Sequence, residues 1–284
     1  MKLIRYGEPG KEKPGVILNE KKYALTGFTE DYNEAFFETD GLKRLSDYVA
    51  SHKDGLEELP GDTRLGAPFL RPSKIVCIGL NYADHAKESN LPLPAEPIIF
   101  FKSTTTIVGP NDDLIIPKNS LKTDWEVELA VVIGKKTSYV SEEEALNYVA
   151  GYCLINDYSE RAFQMERGGQ WVKGKSCDTF APIGPFLATA DEIKDVDNLR
   201  LWLTLNGKMM QDGNTSNLIF KVPFIVHYLS QFMTLLPGDV ISTGTPAGVG
   251  LGQKPEPFYL KPGDVVELGI DGLGSSKQHV KEWR

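Results

Sequence analysis

The segment Asp124–Ile133, with the sequence DWEVELAVVI, decides the fold of this 284-residue chain. Its length and its content of β-branched residues predict a strand. Successive side chains of a strand point to opposite faces, so Glu126 and Glu128 share one face with Cα atoms about 6.6 Å apart. That face continues with Ala130 and Val132, and the opposite face is apolar. Because a strand that is apolar on both faces lies inside a protein, we expect a sheet built around this segment.

Other stretches with high β-branched content lie between turn signals and predict further short strands. They are IVCIGL (75–80), PIIFFKS (97–103), GYCLIND (151–157), LRLWLTLNG (199–207), DVISTG (239–244) and VVELGI (265–270). Asn206-Gly207 predicts a hairpin turn, because both residues tolerate a positive φ.

Helices are expected at fewer places. Residues 141–150 begin with Ser141 and Glu144 in the spacing of a capping box. Residues 222–233 have helical apolar spacing, with Pro223 in the first turn. This balance predicts a β-rich α+β protein.

The first 69 residues differ from the rest of the chain. Residues 1–7 and 15–25 predict short strands around a Pro/Gly turn, and residues 40–52 predict a short helix. A Gly/Pro-rich connector follows. We therefore expect a small N-terminal α/β domain at 1–69 and a larger catalytic domain at 70–284.

The charge of the chain limits the kinds of molecule that it is expected to bind. A formal net charge of −8 and a pI near 5.2 argue against binding to nucleic acid or to membrane surfaces. No stretch approaches the roughly 18 apolar residues of a membrane span. Cys77, Cys153 and Cys177 lack metal-type spacing and lie in or beside apolar stretches. We expect a cytoplasmic protein with reduced cysteines.

Two glutamates in a buried strand require a cation or a proton. A hard divalent ion suits carboxylate ligands, and magnesium, manganese or calcium would fit. Asp157 stands at the end of the predicted strand 151–156 and is a possible third ligand. The alternatives are a solvent-facing row for Glu126 and Glu128, and a cap or turn role for Asp157.

One histidine of the four is a candidate base. His85 and Glu88 are spaced i, i+3 in a short predicted helix, so that they lie on one side of it. The alternative is an exposed His/Glu pair. The other histidines lie in a charged N-terminal stretch, in the predicted helix 222–233 and in the polar tail: His52, His227 and His279.

Two Gly-rich runs hold further polar candidates. The run 168–178 contains Lys173 and Lys175, for which a solvated position is the ordinary expectation. The run 242–250, STGTPAGVG, lacks the ending of a nucleotide P-loop. Its turn could present backbone N–H groups and the Thr245 hydroxyl to an anion, or it could be a plain Gly-rich turn.

The segment 158–172 lies between two of these motifs and is rich in Ser, Glu, Arg, Gln and Gly. This composition is typical of an active-site lid or of a surface loop. We favour a lid, because the segment connects two candidate site motifs.

Five motifs in order resemble the fumarylacetoacetate hydrolase family. They are GLNYADHAKE (79–88), KTDWEVELAVVIG (122–134), YCLINDYSERAFQ (152–164), KGKSCDTFAPIGP (173–185) and PGDVISTGTPAGVG (237–250). The resemblance implies layered mixed β-sheets with few short helices. It also implies that Glu126, Glu128 and Asp157 are the metal ligands, with magnesium or manganese as the usual ion.

The same resemblance implies roles for the remaining candidates. His85 and Glu88 would form a dyad that activates water, and Lys175 would stabilise a developing oxyanion. Four further residues match family positions that face the substrate or lie near the metal: Lys102, Arg161, Gln164 and Thr245.

The implied reaction is hydrolysis of a C–C bond in a 2,4-dioxo acid, giving pyruvate and a second acid such as lactate. The sequence of the chain is similar to the branch of 2,4-diketo-3-deoxy-L-fuconate or rhamnonate hydrolases, whose members are often labelled ureidoglycolate lyases. Alternatives on the same site are ureidoglycolate cleavage, acylpyruvate or oxaloacetate processing, and isomerisation or decarboxylation of hydroxymuconate-type diacids. A metal-bound protein without catalysis is a further alternative.

The family also commonly forms dimers, so we expect a homodimer. Candidate interface residues are aromatic side chains expected at the surface: Phe36, Phe37 and Phe232.

Overall fold

The computed structural model describes residues 1–28, 30–88 and 92–283 of the chain. Strands make up 33% of it and helices 22%, which confirms the predicted β-rich α+β class. Its sheets contain both parallel and antiparallel neighbours, as the family resemblance implied.

The largest sheet within the described residues has ten strands. In spatial order they are β4 (Glu57–Glu58), β3 (Lys21–Ala24), β2 (Lys13–Leu18), β1 (Lys2–Tyr6), β14 (Leu187–Thr189), β11 (Val149–Asn156), β10 (Val127–Ile133), β17 (Val240–Ser242), β5 (Ile75–Gly79) and β6 (Ile98–Lys102). Most neighbours are antiparallel, and β17 and β5 run parallel.

A second sheet and two short strand pairs complete the β-structure of the described chain. The second sheet has the order β16 (Lys208–Asn214), β15 (Arg200–Leu205), β18 (Val265–Ile270), β19 (Gly274–Lys281) and β8 (Leu114–Ile115). The pairs are β12 (Ser159–Glu160) with β9 (Thr123–Asp124), and β13 (Ala181–Pro182) with β7 (Ile107–Val108).

The helices are short. They are α1 (Glu34–Glu38), α2 (Gly41–His52), α3 (Ala83–Glu88), α4 (Arg161–Met165), α5 (Val172–Lys175) and α6 (Val222–Ser230). None of the helices in the described residues is long and apolar enough to cross a membrane.

Both faces of β10 are buried, as its apolar pattern predicted. One face packs in the core that it shares with β15 and β18: Val127, Leu129, Val131 and Ile133. Ala130 and Val132 on the other face belong to a second core, which includes side chains of α1 and α2. Glu128 shares this second face, so its carboxylate lies inside the protein rather than in a solvent-facing row.

The N-terminal segment continues the large sheet. β1 pairs antiparallel with β14, with Leu3 opposite Leu187, and β2, β3 and β4 follow at the sheet edge. The predicted boundary near residue 70 therefore does not coincide with a break in the sheet. The division into two domains stays a prediction.

The helix predicted at 141–150 is wrong. This region contains only a 3₁₀ turn at Ala145–Tyr148, and Val149 already begins β11. Val149 pairs with Ile133 of β10, so sheet pairing overrides the local helical signal. The other local predictions hold. α6 has its proline in the first turn, and Asn206 and Gly207 connect β15 to β16 with φ values of 51° and 79°.

The aromatic interface candidates divide into two groups. Phe36 and Phe37 are buried in α1, where they pack with α2, so their predicted exposure is wrong. Phe232 is 64% exposed. The homodimer itself stays a prediction.

Candidate metal centre and active site

Three carboxylates converge where β10 and β11 meet. Glu126 directly precedes β10, Glu128 is its second residue and Asp157 follows β11. The antiparallel register joins these positions, because Val127 lies opposite Asn156 and the Asp157 N–H donates to the Glu126 carbonyl oxygen at 2.9 Å. One oxygen from each carboxylate lies within 4.8 Å of the others. All three residues are buried.

The donor set of this cluster fits a hard divalent cation. Carboxylate oxygens are the ligands that magnesium, manganese and calcium prefer. Glu128 uses Oε2 to accept hydrogen bonds from the Ser242 hydroxyl at 2.6 Å and the Gly244 N–H at 2.8 Å. Within the described residues its other oxygen has no hydrogen-bond donor, so one carboxylate oxygen of the cluster is free for a metal ion.

The two glutamates have opposite electrostatic environments. Burial raises the pKa of Glu128 well above its usual range, and the nearby Asp157 and Glu126 carboxylates raise it further. Burial also raises the pKa of Glu126, but Lys175 and Arg161 outweigh burial and lower it to about 2. The negative charge of Glu128 is therefore the one that a bound cation would stabilise most.

Two buried lysines lie against the carboxylates. Lys175 Nζ donates to Glu126 Oε2 at 2.7 Å and to Asp157 Oδ2 at 2.8 Å. Burial lowers the pKa of Lys175, but Asp157 and Glu126 outweigh it, so that the pKa is raised and the ammonium stays charged. Lys102 donates to Asp157 Oδ1 at 2.6 Å and to the Tyr158 carbonyl at 3.0 Å. Lys102 thus contacts Asp157, a predicted metal-ligating residue, and does not line the cavity described below.

The His85–Glu88 pair is held by the second of the Gly-rich runs, which together with Leu251 and Gly252 forms the Gly-rich loop 242–252. His85 Nδ1 lies 3.4 Å from Glu88 Oε2, and both Glu88 oxygens accept from the Gly248 N–H at 3.1 Å. A Cβ on Gly252 would lie 2.3 Å from Glu88 Cδ, so a larger residue at this position would displace the Glu88 carboxylate. The two side chains are only 12% and 18% exposed, unlike the exposed pair that the spacing alone also allowed.

A cavity of about 420 Å³ opens beside these groups. Its lining includes most of the predicted site residues: His85, Glu88, Glu126, Glu128, Arg161, Gln164, Lys175 and Thr245. The remaining lining residues are Lys254 and eight apolar or small residues: Ile78, Gly79, Leu80, Phe100, Met165, Trp171, Leu251 and Gly252. Asp157 lies behind this surface, in contact with both lysines.

The Gly-rich loop binds carboxylates of the protein itself. Its N–H groups donate from Gly244 to Glu128 at 2.8 Å, from Gly248 to Glu88 at 3.1 Å, and from Gly250 and Leu251 to Asp124 at 2.6 and 2.9 Å. The loop composition had suggested that these N–H groups could bind a substrate anion. All four already donate to carboxylates of the protein, so they are not free for that role. Thr245 lines the cavity, but its hydroxyl donates to the Val127 carbonyl at 2.9 Å and accepts from Gln211 at 2.8 Å.

Asp124 is a site residue that the sequence analysis missed. It is fully buried, and its Oδ2 accepts from Arg161 Nε at 2.8 Å. Arg161 in turn brings Nη1 to Gln164 at 3.2 Å, and its Nη2 lies 2.7 Å from Glu126 Oε1. The available signal was the position of Asp124 in the same buried stretch as Glu126. The alternation of side chains along one strand cannot identify Arg161, the partner of Asp124, which lies 37 residues away in the sequence.

The segment 158–172 is partly packed into the protein. Residues 158–161 are buried in β12 and at the start of α4, whereas residues 166–170 are exposed. Met165 and Trp171, at the two ends of the exposed part, line the cavity. The first part is thus not a surface loop, and the lid function stays a prediction.

We expect Asp124→Ala to lower the free energy of unfolding by about 3–5 kcal/mol, because it leaves the Arg161 Nε–H and the backbone N–H groups of Trp125, Gly250 and Leu251 without their buried acceptor. Chemical denaturation measures this change. Asp212→Ala is the matched control, since Asp212 pairs with Arg200 at the same 2.8 Å but about half exposed. The control should leave stability nearly unchanged. Equal losses in the two variants would contradict the role of Asp124.

We expect Glu128→Gln and Glu126→Gln to change stability in opposite directions at pH 7 in the presence of a chelator. A carboxylate with a raised pKa destabilises the folded state above its unfolded pKa, so Glu128→Gln should keep or raise the unfolding temperature. Glu126, whose pKa is lowered to about 2, stabilises the fold above its unfolded pKa, so Glu126→Gln should lower it. Added manganese should raise the unfolding temperature of the unmutated protein strongly and that of the two variants much less. A lower unfolding temperature in both variants would rule out the opposite electrostatic roles assigned to Glu128 and Glu126.

Several known proteins and solved structures are similar to the chain over its full length. The chain is 52% identical over 285 residues to a Burkholderia multivorans protein assigned only provisionally as a hydrolase, and the match covers 100% of both chains. The solved fumarylacetoacetate hydrolase of Exiguobacterium antarcticum is 35% identical, with a TM-score of 0.85 and full coverage of both chains. Maleylpyruvate hydrolase from Sphingobium sp. SYK-6, solved in complex with manganese(II) and pyruvate, is 27% identical with a TM-score of 0.84, again over both full chains.

The family described as "Fumarylacetoacetate (FAA) hydrolase C-terminal" matches residues 74–281, which is most of the chain. This range contains all the candidate metal-ligating, catalytic and substrate-binding residues. The chain therefore belongs to the fumarylacetoacetate hydrolase family.

Proposed function

We propose that the protein is a divalent-metal-dependent hydrolase that cleaves a C–C bond of a 2,4-dioxo acid, releasing pyruvate and a second acid. One observation carries this proposal. The carboxylates Glu126 and Glu128, the charged Lys175 and the His85–Glu88 pair all open onto the same cavity of about 420 Å³. That arrangement offers a cation site, an oxyanion donor and a base to one small ligand.

Glu126, Glu128 and Asp157 would hold the metal ion. When bound, a divalent cation supplies Lewis acidity to the carboxylate and 2-oxo oxygens of the substrate, which makes the enolate of pyruvate an acceptable leaving group. Magnesium and manganese are the ions we propose, and calcium fits the same oxygen donors. The manganese(II) and pyruvate in the Sphingobium maleylpyruvate hydrolase support this choice.

His85 would act as the general base. It would take a proton from the water that attacks the C4 carbonyl of the substrate. Glu88 would orient the imidazole and stabilise its protonated form, and the Gly248 N–H keeps the Glu88 carboxylate in place. The 3.4 Å separation between His85 and Glu88 is long for a hydrogen bond, and we expect it to shorten when substrate is bound.

Lys175 would stabilise the oxyanion that forms at C4. With Glu126 and Asp157 as its partners, the pKa of Lys175 is raised and its ammonium group donates hydrogen bonds at neutral pH. Its present acceptors are Glu126 and Asp157, and a cation bound there would free its hydrogen-bonding capacity. Donors of this kind are often worth about 3 kcal/mol of transition-state stabilisation.

For the substrate we propose a 2,4-diketo-3-deoxy sugar acid such as the L-fuconate derivative, or another 2,4-dioxo acid of similar size. The presence of both His85 and Glu88 in the cavity favours water activation. Isomerisation, decarboxylation and lyase cleavage on the same site need only proton delivery. These reactions are therefore the second choice.

The test is pyruvate release from an acylpyruvate and from 2,4-diketo-3-deoxy-L-fuconate, with magnesium and with EDTA. We expect release only with the metal, and a fall in kcat of about 100- to 10,000-fold in His85→Ala. His279→Ala is the matched control, because His279 is exposed on β19. Absence of pyruvate from both substrates would exclude this hydrolysis and favour the isomerase, decarboxylase and lyase alternatives.

A further inference from the structure

The charged side chains around the carboxylate cluster form one continuous series of ion pairs. Acidic and basic members alternate along it, and its six members in order are Asp124, Arg161, Glu126, Lys175, Asp157 and Lys102. Neighbouring members have a nitrogen and an oxygen atom 2.6–2.8 Å apart, and no side chain of the series is more than 6% exposed. Three negative and three positive charges cancel, so the series as a whole is neutral.

Glu128 belongs to the carboxylate cluster but is not a member of this series. Its Oε2 accepts hydrogen bonds from the Ser242 hydroxyl at 2.6 Å and the Gly244 N–H at 2.8 Å, and both donors are neutral. Across residues 1–28, 30–88 and 92–283, no basic side chain forms an ion pair with Glu128. With every group in its charged form, the neutral series and Glu128 together carry one net negative charge.

A divalent cation at Glu126, Glu128 and Asp157 would change this net charge from one negative to one positive. The surplus would lie among buried side chains, where an uncompensated charge is costly. The carboxylate of one 2-oxo acid beside the cation would restore neutrality. This balance of charges favours binding of the cation and the oxo acid together over binding of the cation alone.

Lys102 contributes to this balance without facing the cavity. Its side chain is fully buried, and its Nζ donates to Asp157 Oδ1 at 2.6 Å and to the Tyr158 carbonyl oxygen at 3.0 Å. Lys175 and Arg161, the other cations of the series, line the cavity, and Lys102 does not. Removal of the Lys102 charge would therefore alter the charge balance without removing a contact to a ligand in the cavity.

We propose that Lys102 couples binding of the divalent cation to binding of the anionic oxo acid. Its charge leaves the site with one negative charge too few to balance a divalent cation, and the substrate carboxylate supplies the missing charge. Lys102 acts through Asp157 and lies outside the cavity. This rests on the proposed function, in which the cation and the oxo acid share one site. By linkage, the cation tightens binding of the oxo acid by the same factor.

Manganese binding with and without pyruvate tests this coupling. Electron paramagnetic resonance titration gives the Kd of manganese(II), and calorimetry gives the Kd of pyruvate for the manganese-loaded protein. In the unmutated protein we expect saturating pyruvate to tighten manganese binding about 10- to 100-fold, which is within the usual range for two coupled sites. Methyl pyruvate keeps the 2-oxo group but is neutral, so it should tighten manganese binding much less. A manganese Kd that pyruvate leaves unchanged would overturn the proposal.

Lys102→Met removes the charge that produces the coupling. We expect manganese alone to bind this variant about tenfold more tightly, and pyruvate to bind its manganese-loaded form about tenfold less tightly. Lys102→Arg keeps the charge and should keep both constants near those of the unmutated protein. Lys102→Gln is a second neutral variant that keeps an N–H donor for Asp157, and it should change both constants as Lys102→Met does.

The directions of these two changes separate charge balance from a purely structural role of Lys102. Displacement of Asp157 would weaken both manganese and pyruvate binding. Release of an Asp157 oxygen alone would tighten manganese binding and leave the pyruvate Kd unchanged. Either result in the neutral variants would overturn the proposal.

Failure of the proposed hydrolysis would give a different result. In that case no 2,4-dioxo acid would release pyruvate, but added pyruvate would still tighten manganese binding, and less so in Lys102→Met. Release of pyruvate by a protein that shows no coupling would support the hydrolase and overturn only the role of Lys102.

Discussion

The repulsion among three buried carboxylates is the constraint on which the site depends. Glu126, Glu128 and Asp157 are brought within 4.8 Å by the pairing of two strands whose other side chains form apolar cores. Such a cluster is unfavourable unless positive charge or hydrogen-bond donors surround it. Lys102, Lys175 and Arg161 supply charge to two of the carboxylates. Among the residues that the structure describes, Glu128, whose pKa is raised, accepts hydrogen bonds only from neutral donors, and this difference favours a divalent cation beside it.

The Gly-rich loop connects this cluster to the rest of the active site. Its backbone N–H groups bind Glu128 at the proposed cation site, Glu88 beside the proposed base and Asp124, the partner of Arg161. Glycine at positions 250 and 252 leaves room for the carboxylates of Asp124 and Glu88 to lie close to the backbone. One loop thus fixes the relative positions of Glu128, Glu88 and Asp124.

Much of this arrangement could be predicted from local sequence. Alternation along 124–133 predicted a strand buried on both faces, and the strand-end position of Asp157 predicted a third carboxylate nearby. Long-range partners could not be predicted in this way. The Asp124–Arg161 pair and the contact of Lys102 with Asp157 depend on how separate segments meet in space. The helix expected at 141–150 failed for the same reason, since pairing of Val149 with Ile133 outweighs a local capping signal.

We propose that the carboxylate cluster holds a metal ion to which the oxo acid binds. Electron paramagnetic resonance of added manganese(II) tests this directly. We expect one tightly bound ion per chain, a change in its spectrum when pyruvate is added, and loss of the bound signal in Asp157→Ala. Saturable manganese binding that survives this substitution, or a bound-ion spectrum that pyruvate leaves unchanged, would contradict it.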